Sequence, residues 1–178
     1  MMVSVPRFFE KVYGRVFDAA TAGCIVKKNI FFWAVNVGKI RTKQLFQNRV
    51  TRIMRMKYGA ARNLVFKKIH ARTGGRIRFF VSGGAPLSRE IAEFFHACGL
   101  TIVEGIGMTE NTSFTNVNRY DNNKFGTVGQ VGPGIEMKLA DDGEVMYRGR
   151  NVMKEYYKMP EETAETITSD GWLHTGDL

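Results

Sequence analysis

Apolar residues recur at helical spacing near the start of the chain. Phe9, Val12, Tyr13, Val16 and Phe17 fall on one face, and Pro6 suits a first helical position. The spacing predicts a helix that follows an extended Ser4-Val5-Pro6 approach. A second helical candidate runs from about Gln44 to Ile69, with Leu45, Val50, Ile53, Met54, Leu64, Val65, Phe66 and Ile69 as its apolar positions. Gly59 is expected to interrupt it. His70, between Ile69 and Ala71, reads as a helix-end residue rather than a ligand or base. At Arg76 the pattern changes. Ile77-Arg78-Phe79-Phe80-Val81 is a short β-favouring run, ended by Ser82-Gly83-Gly84-Ala85-Pro86. Ser88 then stands where a helix N-cap belongs, Ile91, Phe94, Phe95 and Cys98 make one apolar helix face, and Gly99 fits the position just past the helix end. Leu100 to Val103 makes the next strand. A strand, a helix and a strand in this order imply parallel pairing, so the glycine-containing loops after Val81 and Val103 emerge on the same edge of a sheet.

Beyond that edge the chain is β-rich. Gly126-Thr127-Val128-Gly129 and Gly132-Pro133-Gly134 are loop signals, and Ile135 to Leu139 alternates as a strand does. Asp141-Asp142-Gly143 is a turn, Glu144 to Tyr147 the return strand of a hairpin, and Pro160-Glu161-Glu162 opens a short helix with acids in its first turn. Asp170-Gly171 turns into Trp172-Leu173-His174. The expected fold class is α/β: a helical basic segment over 1–75, a parallel βαβ core over 76–125 and a β-rich subdomain over 126–178.

The 178 residues are 44% apolar and 24% charged, ordinary for a globular protein. Cys24 and Cys98 are the only cysteines, with no CxxC and no His cluster, so two reduced thiols in a cytoplasmic protein are expected rather than a disulfide framework or a zinc site. No signal peptide is evident. The most apolar stretch, Ile30 to Val37, is far shorter than the ~20 residues that span a bilayer. The net charge of +9 is unevenly spread. Residues 1–80 carry 18 Lys and Arg against Glu10 and Asp18, while residues 81–178 carry 8 basic and 15 acidic residues. A solvated helical face is the default reading of the basic half, and peripheral contact with an anionic membrane is the alternative. Nucleic acid is set aside, because the chain has neither an RNP-type aromatic strand nor a zinc finger.

The candidate chemistry gathers in Glu104-Gly105-Ile106-Gly107-Met108-Thr109-Glu110, which sets two glycines, a hydroxyl and a carboxylate directly after an apolar run. It reads as a loop leaving a strand at the sheet edge, where ligands of open α/β sheets bind. Glycines let backbone amides approach a phosphate, Thr109 can donate to a phosphate oxygen, and Glu110 can hold Mg²⁺ that bridges phosphates.

Five segments in order carry a resemblance: SVPRFFEKVYGRV, RIRFFVSGGAPLS, VEGIGMTE, GTVGQVGPGIEMKLADDGEVMYRGRNVMKEYYKMPEET and DGWLHTGDL. They cover essentially the whole chain, which resembles the adenylate-forming (AMP-binding) superfamily and, within it, bacterial long-chain fatty-acid–CoA ligases. The resemblance implies part of the large N-terminal domain of such an enzyme. It implies ATP, a fatty acid and coenzyme A as substrates, Mg²⁺ as cofactor, and acyl-adenylate and pyrophosphate as the first products. Gly84, Ala85 and Pro86 would line the adenine pocket, and Glu104, Gly105, Ile106, Gly107 and Met108 would close over adenine and the acyl carbonyl. Thr109 would contact the α-phosphate and Glu110 would ligate Mg²⁺, these two being the catalytic pair, while Asp177 would hold the ribose hydroxyls. Three features depart from the family pattern. Ile106 stands where the family usually has a Tyr, offering an apolar surface without a ring. The family's Ser/Thr/Gly-rich phosphate loop with its lysine, and its small C-terminal domain, do not lie within the 178 residues. The chain is therefore expected to be an internal part of a larger enzyme and not to form a thioester alone. A non-catalytic nucleotide-binding or membrane-associated remnant is the alternative.

Overall fold

A computed structural model describes all 178 residues. Five strands form one sheet in the order β1 (Met2–Ser4), β2 (Phe79–Ser82), β3 (Thr101–Met108), β4 (Ser113–Val117) and β5 (Gln130–Val131). The first three are parallel and in register, Val3 with Val81 with Val103 and Ser4 with Ser82 with Glu104; β4 and β5 continue antiparallel. Helices fill the crossovers. Between β1 and β2 lie α1 (Pro6–Thr21), α2 (Ile25–Phe46), α3 (Arg52–Ala61), a single π-turn (Arg62–Phe66) and α4 (Lys67–Arg72), and between β2 and β3 lies α5 (Arg89–Ala97). A second, antiparallel sheet holds β6 (Ile135–Leu139), β7 (Val145–Gly149) and β8 (Leu173–His174), with α6 (Pro160–Thr166) on the connection between β7 and β8.

The core is aromatic and sits between the first sheet and the helices. Phe9 of α1 is fully buried and meets Phe80 of β2 and Phe95 of α5 edge-on, at 5.5 and 5.9 Å between ring centroids. Phe17, Phe31 and Phe94 extend the cluster along α1, α2 and α5. Full burial of such a side chain stabilises by roughly 1.5–3 kcal/mol, and edge-to-face pairing adds to it.

Where the signals are local, pattern and structure agree. Pro6 opens α1, Ser88 precedes α5, Gly99 adopts a left-handed φ of +84° just past its end, and β6 pairs with β7 across the Asp141–Gly143 turn. Elsewhere the structure corrects the reading. The extended Ser4 proves to be paired, because Met2–Ser4 finds a partner in Phe80–Ser82 far along the chain. The single helix expected from Gln44 to Ile69 does not exist. Its first residues end α2, the chain turns at Asn48 (φ +53°), and Thr51 caps α3 by accepting from the Met54 amide at 3.2 Å. Gly59 lies inside α3 and breaks nothing; an interior glycine costs only about 1 kcal/mol. Strand β2 starts at Phe79 rather than Ile77, and β3 runs on past Val103 to Met108. No helix is long and apolar enough to cross a membrane.

Candidate active site at the carboxyl edge of the sheet

Strand β2 ends level with Glu104, midway along β3, and the chain beyond Ser82 opens into a cleft of about 700 Å³. Gly84, Ala85 and Pro86 form one wall, Glu104 to Gly107 the second, and Gly126 to Val128 a third, with Asp177 at the rim. Gly84 has a φ of +81°, a conformation that a side chain would strain.

The segment Glu104–Met108 is strand, not loop. Ile106 pairs with Asn116 of β4, and a bulge follows between Ile106 and Gly107. The glycines serve this pairing. A Cβ on Gly107 would stand 1.6 Å from the carbonyl oxygen of Ser113, and one on Gly105 would lie 2.7 Å from the Phe114 ring. They make room for β4, which is a steric reason for glycine at both positions.

Glu104 is buried, 8% exposed, and one of its oxygens accepts from the Leu87 amide at 3.3 Å. Burial pushes its carboxyl pKa above the ordinary value of 4.5, against the opposing pull of the Leu87 and Gly126 amides. A carboxyl raised in this way favours the fold while protonated, and that contribution is lost as pH rises through its folded pKa. Glu104→Gln, which stays neutral, is therefore expected to raise the urea midpoint near pH 7. The advantage should vanish below pH 4.5, the ordinary value; an identical shift at both pH values would contradict a charge effect.

Past the cleft the chain makes one 3₁₀ turn, Thr109–Asn111, held by the Met108 amide donating to the Asn111 Oδ1 at 2.9 Å. Thr109 is exposed there. Glu110 is half-buried, and its Oε1 accepts from the Tyr156 hydroxyl at 2.8 Å. Thr112 and Ser113, which follow, both have positive φ, +60° and +91°, so the turn from β3 into β4 carries backbone strain. At the other end Glu144 clasps the terminal segment. Its carboxylate meets His174 Nδ1 at 2.6 Å and accepts from the Gly176 amide at 2.7 Å, while the Asp177 carbonyl accepts from the Val145 amide at 2.9 Å.

Eight of the residues named from the sequence thus line one cleft: Gly84, Ala85, Pro86, Glu104, Gly105, Ile106, Gly107 and Asp177. Met108, Thr109 and Glu110 do not line it; they lie just beyond, on the same chain segment. Sequence reasoning missed three contributors. The Gly126–Val128 wall was visible only as a loop, and Glu144 and Tyr156 gave no signal, because their partners lie 30 and 46 residues away. The cleft lining contains two acids, Glu104 and Asp177, and no Lys or Arg. It fits an uncharged, flat group with hydroxyls better than a bare phosphate chain. Nowhere do three or more His, Cys, Asp or Glu come together as a ligand set. A single carboxylate such as Glu110, with one oxygen held and the other left over, fits a Mg²⁺ carried mainly by substrate phosphates.

Comparison with known proteins places the chain in a family. The family described as AMP-binding enzyme matches residues 1–157, and the chain belongs to that family. Its relatives are acyl-CoA ligases. The chain is 38% identical over its whole length to the long-chain-fatty-acid–CoA ligase FadD15 of Mycobacterium bovis. It is 35% identical over 98% of its length to the peroxisomal long chain acyl-CoA synthetase 7 of Arabidopsis thaliana. It spans 29% and 26% of those two proteins. Among solved structures, the anthranilate CoA ligase AuaEII in complex with anthranoyl-AMP superposes with a TM-score of 0.53 at 30% identity, over 56% of this chain and 21% of that one.

Proposed function

We propose that residues 1–178 supply the adenosine-facing part of a long-chain fatty-acid–CoA ligase. The observation that carries the reading is the cleft itself: Gly84–Pro86, Ile106 and Asp177 converge on one sheet edge of a chain whose relatives are acyl-CoA ligases. In this reading the purine lies between the Gly84–Pro86 backbone and the Ile106 side chain. Asp177, at the rim, accepts from both ribose hydroxyls, one to each carboxyl oxygen. The phosphates then point out of the cleft toward Thr109, whose hydroxyl donates to the α-phosphate. Glu110 offers its second oxygen to Mg²⁺, which when bound supplies positive charge at the phosphates.

The first half-reaction joins a fatty-acid carboxylate oxygen to the α-phosphorus and breaks the bond to the β-phosphate, releasing pyrophosphate. In the second, the coenzyme A thiol takes the acyl group and AMP leaves. Negative charge develops on the departing pyrophosphate, and stabilising it takes fixed cations. The cleft lining has none, so these residues alone are not expected to complete the reaction.

The test is ATP–pyrophosphate exchange by the intact protein, with palmitate or acetate as the acid. Exchange that requires palmitate is the expected result. Exchange with acetate but not palmitate would reject the long-chain assignment, and exchange with neither would reject the ligase reading.

A further inference from the structure

We propose that Tyr156 is a positioning residue for Glu110: its phenol holds one carboxylate oxygen so that the other is presented to a metal on the nucleotide phosphates. The proposal rests on the reading above, in which Glu110 is the metal ligand. Tyr156 lies far along the chain on the segment between β7 and α6, yet its hydroxyl donates to Glu110 Oε1 at 2.8 Å.

That bond is one of four between the two segments. The Met153 amide donates to the Glu110 carbonyl at 2.7 Å, Asn151 Nδ2 to the Asn111 carbonyl at 3.0 Å, and the Thr112 hydroxyl to the Asn151 carbonyl at 2.6 Å. Two of them hold backbone carbonyls of the turn, and a third holds the Thr112 side chain that follows it. Only the fourth reaches the carboxylate, which would otherwise rotate freely about its side-chain bonds. Tyr156 is itself seated from the far side: its amide donates to the Thr163 hydroxyl of α6 at 3.0 Å, and that hydroxyl donates to the Met159 carbonyl at 2.7 Å. A line of hydrogen bonds therefore runs from α6 through Tyr156 to Glu110.

The chemistry of the phenol suits this task. A neutral donor orients a carboxylate without cancelling its charge, whereas an Arg or Lys in the same place would compete with the metal. A phenol also carries its hydroxyl on a rigid ring with few rotatable bonds, so the oxygen it fixes stays fixed. Hydrogen-bond partners behind a ligand commonly raise metal affinity about 10–100-fold.

Tyr156→Phe in the intact protein tests the proposal. Mn²⁺ affinity is read by electron paramagnetic resonance in the presence of α,β-methylene-ATP, and adenosine, which brings no metal, is titrated separately by calorimetry. We expect Mn²⁺ binding to weaken about tenfold with adenosine affinity unchanged. Incorporation of 4-aminophenylalanine at position 156, which keeps a donor at the ring's para position, should restore it. Unchanged Mn²⁺ affinity in Tyr156→Phe, with a loss in Glu110→Gln, overturns the positioning role and leaves the ligand reading standing. Unchanged affinity in both variants overturns the two together. Parallel losses of Mn²⁺ and adenosine binding in Tyr156→Phe would mark a purely structural strap and also overturn the proposal.

Discussion

Glu110→Gln in the intact protein is expected to lower palmitate-dependent ATP–pyrophosphate exchange by at least about 100-fold. A bound metal that meets developing phosphate charge contributes several kcal/mol, and each 1.36 kcal/mol is about tenfold in rate. The substitution is close to isosteric, and the amide oxygen can still accept from the Tyr156 hydroxyl, which lies 2.8 Å from Glu110 Oε1. What is lost is the negative charge. Stability should therefore stay within about 0.5 kcal/mol of the parent protein, as for other surface changes that leave packing alone. Exchange at the parental rate would remove Glu110 from the metal site. A rate loss accompanied by an equal fall in urea midpoint would trace it to the fold instead.

A larger effect on stability is expected at Gly107. An added methyl would stand 1.6 Å from the Ser113 carbonyl oxygen, 2.4 Å from its carbonyl carbon and 2.8 Å from the Phe114 Cα. All three are backbone atoms, so no side chain can swing aside, and β4 would have to leave β3. Overpacking a rigid interior costs about 1–3 kcal/mol and more where the backbone must move, so a loss of about 3 kcal/mol or more is expected for Gly107→Ala. Gly59 is the control. It lies inside α3 with nothing within 4 Å of an added Cβ, so Gly59→Ala should stabilise by about 0.5–1 kcal/mol through helix propensity. Urea denaturation of the two variants should move the midpoint in opposite directions. A neutral Gly107→Ala would mean that β3 and β4 are not paired as described.

How much of this was legible in the sequence depends on how local each signal is. Helix α5 announces itself completely, with Ser88 before it, a four-residue apolar face and Gly99 behind it. The hairpin β6–β7 is equally plain, because its turn and both strands lie within fifteen residues. Helix α2 was missed. Its apolar residues do not form a stripe: Phe31, Ala34 and Val35 are buried while Ile25, Val26 and Phe32 are exposed. Strand β1 is three residues long and owes its existence to a partner near residue 80. Strand β4 was hidden by its polar composition and by the left-handed Thr112 and Ser113 that begin it. At the site, the motif residues could be named from their order along the chain, but not why they are what they are. Gly105 and Gly107 looked like phosphate-binding glycines, and the sequence did not show that a close strand partner requires them. Tyr156 and Glu144 act across long separations, and no pattern in their own neighbourhoods marks them.

The central claim, that adenine occupies the cleft between Gly84–Pro86 and Ile106, is tested most directly by photolabelling. The intact protein would be irradiated with 8-azido-ATP, digested with trypsin and mapped by mass spectrometry. The label should fall on the peptides spanning 79–89, 90–119 or 125–138, which carry the three cleft walls, and unmodified ATP should suppress it. ATP-protected labelling confined to residues 1–78, the helical basic layer, would place the nucleotide elsewhere and contradict the account.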